Sequence, residues 1–144
     1  MSAAAKAKTV EIPKPVIAIV DDDESVCQSV SRLFRSLSMN AETFTSGRVF
    51  LDLLEAMPSF QPACLIIDVQ MPEMNGLEVQ NHLTHDGRAI PVIFITAHDD
   101  IKSREKALAG GALAFLRKPF DPEVLVKTVR EALNARQRET GHGA

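Results

Sequence analysis

Three carboxylates, a hydroxyl and a lysine stand at the ends of apolar runs in this chain, and together they could transfer a phosphoryl group. Asp68 closes the run Ala63-Cys64-Leu65-Ile66-Ile67, and Pro72 and Asn75-Gly76 then force a loop. Asp21 and Asp22 follow Val16-Ile17-Ala18-Ile19-Val20, Thr96 and Ala97 follow Val92-Ile93-Phe94-Ile95, and Lys118 follows Leu113-Ala114-Phe115-Leu116-Arg117. Taken singly these residues are ordinary, since an acid at a strand end commonly caps a helix and a lysine before proline is commonly solvated. Brought to one edge, however, the carboxylates raise one another's pKa unless a cation relieves them. Oxygen-only ligands favour a hard ion. Mg²⁺, or Mn²⁺ in its place, suits Asp22 and Asp68 directly and Asp21 mainly through water, whereas neither His nor Cys has zinc-type spacing. Asp68 is then positioned to attack phosphorus and form an aspartyl phosphate, whose remaining oxygens Lys118 and Thr96 could bind.

Convergence of these groups requires parallel strands with a common C-terminal edge. The sequence predicts strand followed by helix, repeated five times, with crossovers long enough for right-handed parallel connections. Val26, Val30, Leu33, Phe34 and Leu37 predict an amphipathic helix over about 24–38. A short strand is expected around Ala41–Phe44. Ser46 is expected to cap a helix burying Val49, Phe50, Leu53, Leu54 and Met57, with Pro58 just beyond it. The third helix begins near Asn75-Gly76 and carries Leu77 and Leu83. The fourth, about 99–109, has only Ile101 and Leu108 as large apolar residues, a thin stripe that predicts weak anchoring. Asp121-Pro122 starts the last helix, buried through Val124, Leu125, Val129, Ala132 and Leu133. The expected fold class is α/β: a doubly wound, five-stranded parallel sheet with helices on both faces. The flavodoxin-like order 2-1-3-4-5 would set the first and third strand ends side by side at the switch point.

At 144 residues the chain fits one domain. We expect a disordered arm over 1–15, a folded domain over 16–137 and a disordered tail over 138–144. A net charge of -3 gives no reason for direct nucleic-acid binding, and no apolar run is long enough to span a membrane. The small, basic N-terminus lacks the apolar centre of a secretory signal, so a cytoplasmic location is expected. Cys27 and Cys64, the only two cysteines, are expected as reduced core thiols.

In combination these motifs resemble the response-regulator receiver domains of two-component signalling, with their CheY-like fold. Val20-Asp21-Asp22-Asp23 resembles the family's acidic metal pocket and Ile67-Asp68-Val69-Gln70-Met71-Pro72-Glu73-Met74-Asn75-Gly76 its phosphoacceptor loop. Ile95-Thr96-Ala97 is similar to the switch hydroxyl segment and Lys118-Pro119-Phe120 to the lysine turn; the run from Thr96 to Phe120 is closest to the FixJ-type subgroup. The resemblance implies that Asp68 accepts phosphate from a sensor histidine kinase or a histidine phosphotransferase. It implies that Asp22, Asp68 and the main-chain carbonyl of Gln70 bind Mg²⁺, that Asp21 belongs to the same pocket, and that Lys118-Pro119 is cis. It also implies that Thr96 moves toward the phosphoryl group while Phe115 rotates inward behind it. Such a chain acts as a switch rather than as an enzyme, although it assists its own phosphorylation and dephosphorylation. Its outputs would be a homodimer formed on activation, a downstream protein, or an effector domain outside this chain.

Phe115 stands where many members of the family carry tyrosine, so no phenol hydroxyl can hold the inward position and apolar packing is expected to set it. Gln70 could orient or obstruct water attack, and His98 is expected as an exposed loop residue. Two rival readings are a haloacid-dehalogenase-type phosphatase with Asp21 as nucleophile and a pseudo-receiver that only binds proteins.

Overall fold

Branched apolar residues dominate the segments 16–20, 64–68 and 92–96, and strands of that composition must be covered on both faces. The computed structural model describes residues 15–98 and 100–142. Its elements in chain order are β1 Val16–Val20, α1 Glu24–Ser36, β2 Asn40–Phe44, α2 Gly47–Ala56, β3 Cys64–Asp68, α3 Gly76–His85, β4 Val92–Thr96, α4 Ile101–Ala109, β5 Ala114–Arg117 and α5 Pro122–His142. The strands form one sheet in the order β2-β1-β3-β4-β5, all pairs parallel. This is the expected doubly wound order. β1 and β3 therefore end side by side at the switch point, with Val20 paired to Ile67.

Every residue of β3 and β4 is buried. Alternate strand residues feed two cores, as the two-residue period of a strand requires. Ala18, Val20, Leu65, Ile67 and Phe94 pack with Phe50, Leu54, Val79 and Leu83 on one face, while Ile17, Ile19, Ile66, Ile93 and Ile95 pack with Val30, Phe34, Leu125 and Val129 on the other. Cys27 and Cys64 are buried free thiols in the second core. No helix among the described residues is long and apolar enough to cross a membrane.

Short polar side chains set where the helices begin. Asp23 caps α1 through the Ser25 amide, Ser46 caps α2 through the Val49 amide, and Asn75 and Glu78 form a reciprocal capping box on α3. Asp121 accepts from the Glu123 amide at 2.9 Å and starts α5 as expected.

Several expected helix faces turn out rotated. Val49 on α2 and Met57, the residue that closes it, are exposed, as is Val124 on α5. Gly47 fixes the α2 face, because a Cβ there would lie 2.7 Å from Val79 Cγ2; the close approach turns Phe50 and Leu54 inward and Val49 out. On α4 neither Ile101 nor Leu108 is the anchor, since both are exposed and the one buried side chain is Ala107. Helix α1 closes at Ser36 rather than near 38, where Ser38 adopts a positive φ of 63°. Helix α5 continues to His142, past the expected boundary at 137, in keeping with the helix propensity of Arg, Gln and Glu in its last turns. The arm expected over 1–15 lies, but for Pro15, outside the described residues.

Candidate functional site

Each strand on which the sequence placed a reactive group ends at the same edge of the sheet. Asp21 follows β1, Asp68 ends β3, Thr96 ends β4 and Lys118 follows β5. Main-chain bonds fix the loops that leave this edge: Val69 N–H donates to Ile95 O at 3.0 Å, Gly76 N–H to Val69 O at 2.8 Å and Lys118 N–H to Thr96 O at 2.7 Å. The Lys118-Pro119 bond is cis.

Gly76 closes the loop after Asp68. A Cβ at this buried position would run into the Asp68 carbonyl oxygen and reach 3.0 Å from Phe94 Cε1. Gly76→Ala is therefore expected to destabilise the chain by about 2–3 kcal/mol. Thermal unfolding followed by circular dichroism checks this, the chain having no Trp or Tyr to report by fluorescence.

Asp21 is fully buried, and both of its carboxylate oxygens are engaged: Oδ1 accepts from the Asp23 amide at 2.9 Å and Oδ2 from Lys118 Nζ at 2.7 Å. Asp68 is buried as well; Oδ1 accepts from the Gln70 amide at 3.2 Å and Oδ2 from Lys118 Nζ at 3.3 Å. Asp22 stands exposed at the mouth, and carboxylate oxygens of Asp21, Asp22 and Asp68 all lie within 4.8 Å of one another. Three acidic oxygen donors so close suit a hard divalent cation, which fits the Mg²⁺ expected from the residue types. The arrangement speaks against Asp21 as a nucleophile, because its side chain has no exposed surface for a phosphodonor to reach, whereas 8% of the Asp68 side chain is open at the cleft. That removes the main support for the haloacid-dehalogenase-type reading.

The electrostatics follow from burial and crowding. Burial first, and then the neighbouring Asp21 charge, push the Asp68 carboxyl up to about 6, with Lys118 opposing both. Burial disfavours the Lys118 ammonium, yet its hydrogen bond to Asp21 and the two negative charges hold its pKa above the usual lysine range. Asp23 serves the helix rather than the cleft: the Ser25 hydroxyl and amide lower its pKa.

Thr96 is fully buried, and its hydroxyl is committed to a loop residue, donating to His98 O at 3.0 Å and accepting from His98 N–H at 3.1 Å. Ala97 and the side chains of Gln70 and His98 are exposed around the opening. Phe115 lies inside, 8% exposed, its ring centroid 6.2 Å from that of Phe94 at an interplanar angle of 40°. Apolar packing is not its whole support, because Arg104 Cζ of α4 lies 5.2 Å from the Phe115 ring centroid. Sequence reasoning missed Arg104, although its position three residues before Ala107 puts both on one helix face. It also missed Gln80, a buried side chain of α3 that donates to Ala107 O at 3.0 Å and ties α4 down.

Comparison with known proteins shows the family. Residues 17–130 match the family described as response regulator receiver domain. The response regulator protein TodT of Pseudomonas putida is 45% identical over 118 residues, covering 82% of this chain and 51% of the relative. The transcriptional regulatory protein FixJ of Azorhizobium caulinodans is 34% identical over 125 residues, covering 87% of this chain and 57% of the relative. The crystal structure of a response regulator receiver protein from Burkholderia phymatum superposes with a TM-score of 0.76 at 55% identity, covering 84% of this chain and 96% of that one. The chain thus spans about half the length of the curated relatives it matches. With the family matched over residues 17–130 and the sheet in the family's order, the chain belongs to the response regulator receiver domains of two-component signalling.

Proposed function

We propose that Asp68 is the phosphoacceptor of this receiver and that a phosphohistidine on a sensor histidine kinase or histidine phosphotransferase is the donor. The observation that carries the reading is the buried Asp68 carboxylate, with Lys118 Nζ 3.3 Å from Oδ2 and Asp21 and Asp22 within 4.8 Å. In the reaction an Asp68 oxygen forms the new bond to phosphorus as the bond to the donor's imidazole nitrogen breaks, and the imidazole leaves with that electron pair. The attacking group must be ionised, which the Asp68 pKa of about 6 permits at neutral pH. Lys118 is already beside the acceptor oxygen and is ready to bind a phosphoryl oxygen. Thr96 becomes a second donor once its hydroxyl exchanges the His98 carbonyl for the phosphoryl group. Mg²⁺, or Mn²⁺, would be held by Asp22, Asp68 and the Gln70 carbonyl, with Asp21 beneath. When bound, the ion supplies charge neutralisation on the transferring oxygens.

Movement of Thr96 is transmitted to α4 and β5, where Ile101, Leu108 and Leu113 are exposed. On this reading phosphorylation switches that surface, and the chain acts as a cytoplasmic signalling switch toward a second copy, a downstream protein or an effector domain. Amide exchange in α4 is expected to slow on activation.

The direct test is intact-mass spectrometry after incubation with acetyl phosphate and Mg²⁺. One added phosphoryl group is expected, absent from Asp68→Ala and from a Mg²⁺-free control. Beryllofluoride binding serves as the second measurement. An adduct that persists in Asp68→Ala moves the acceptor elsewhere, and neither adduct nor beryllofluoride binding leaves the protein-binding pseudo-receiver as the better account.

A further inference from the structure

Phe115 sits in β5, an edge strand, and its ring belongs to the same core cluster as Ala107 of α4. A phenylalanine there has no polar atom to fix it in or out. Yet the ring is only 8% exposed, its centroid 6.2 Å from that of Phe94 and 5.2 Å from the Arg104 Cζ that lies over it. The 5.2 Å separation falls within the range of a cation–π contact, and a covered ring strengthens such a contact by excluding water from it. Arg104 is itself held in register. Ala107, one turn later, is fully buried and accepts from Gln80 of α3 at 3.0 Å, and Gly110 lets that amide lie close, since a Cβ there would come within 2.7 Å of Gln80 Oε1. The last turn of α4 is thus fastened to α3, and Arg104 projects from the fastened part.

We propose that Arg104 is the positioning residue of the switch: its guanidinium closes over Phe115 and holds the ring inside before any phosphorylation, in place of the hydroxyl that phenylalanine lacks. Phosphorylation then has Thr96 and α4 to move, but not the aromatic ring. The contact also makes the ring a gauge of α4, because Arg104 cannot leave its place over Phe115 without the helix shifting or its own side chain swinging away. Arg104 touches no reacting atom, and its effect on the site passes through Phe115. This switching role rests on the receiver reading, whereas the ring's position does not.

The experiment uses the full chain with ring-labelled phenylalanine, followed by NMR in the absence of any phosphodonor, with the Phe115 signal assigned through Phe115→Leu. Arg104→Met keeps most of the apolar stem and removes the charge, while Arg104→Lys keeps a cation. The contact between the Phe115 and Phe94 rings is expected in the unsubstituted chain. In Arg104→Met the inside-to-outside ratio is expected to fall roughly fivefold, and Arg104→Lys should recover part of it. Arg104→Gln provides a second neutral variant should Arg104→Met fold poorly. Titration with beryllofluoride and Mg²⁺ is expected to show weaker binding in the neutral variants by no more than the same factor, as linkage requires. A Phe115 ring that stays against Phe94 in both neutral variants overturns the proposal, as does Arg104→Lys behaving like Arg104→Met. Because the ring is read without a phosphoryl group, failure of Asp68 to accept phosphate would leave that result standing.

Discussion

Asp68→Asn is expected to make the metal-free chain more stable at pH 7, by about 1–3 kcal/mol, even as it removes the proposed phosphoacceptor. The carboxyl titrates at about 6 in the folded chain, for burial first and the charge of Asp21 second. An unfolded aspartate titrates near 3.9. The folded state therefore binds this proton more tightly than the unfolded state. The contribution to stability is fully present below about pH 4 and is lost as pH rises through 6, so at neutral pH the ionised carboxylate works against folding. Asparagine keeps the shape without the charge. Urea unfolding with a chelator present should show the largest gap between Asp68→Asn and the unsubstituted chain at pH 7, and little gap near pH 4. Mg²⁺ should narrow the gap at pH 7 by stabilising the chain that retains all three acids. A chain made less stable by Asp68→Asn at pH 7 would contradict this account of the site.

Lys118→Ala is expected to act in the opposite direction, costing about 2–4 kcal/mol at pH 7. The lysine is 17% exposed and is bonded to Asp21 at 2.7 Å and to Asp68 at 3.3 Å. Its removal leaves two buried carboxylates facing each other without a cation, the circumstance in which breaking an ion pair is most damaging. Asp68, relieved of the charge that opposed its upward shift, should then titrate above 6, and protonation should recover part of the loss as pH falls toward 5. Combining the two substitutions provides an internal check. With Asp68 already neutral, loss of Lys118 leaves only Asp21 uncompensated, so the double variant should be more stable than the sum of the separate effects implies. Additivity in that cycle would mean that Lys118 and Asp68 do not share an interaction.

Much of the site was legible because its residues are tied to strand ends. A run such as Leu65-Ile66-Ile67, short, branched and bounded by turn residues, reads as a covered strand, the parallel order puts strand ends on one edge, and the placement of Asp68, Asp21, Asp22, Thr96 and Lys118 follows from that. What escaped the sequence depended on rotation about helix axes. The buried side of α4 is marked by Ala107 rather than by Ile101 or Leu108, and a small residue leaves little trace in an apolar pattern. Val49 looked like core until Gly47 brought α2 so close to Val79 that Phe50 filled the space instead. The contacts of Arg104 with Phe115 and of Gln80 with Ala107 join separate elements, and no local periodicity encodes them. The end of α5 was misplaced for a different reason: the sequence turns polar from Arg136 onward, but polar residues of good helix propensity carry the helix on to His142.

The fastening of α4 by one buried alanine and one amide has a consequence for how this protein can fail. Asp21 follows β1 and Asp68 ends β3, both strands inside the sheet, whereas α4 hangs on its flank. Free energies of opening follow such differences in burial, so α4 can part from the body while the remainder holds. On the proposed function, warming the chain or weakening Gln80 would first yield a molecule that still receives a phosphoryl group but no longer announces it. Receipt and announcement of the signal can therefore be lost separately, and defects in the second would pass unnoticed in any assay that follows phosphate alone.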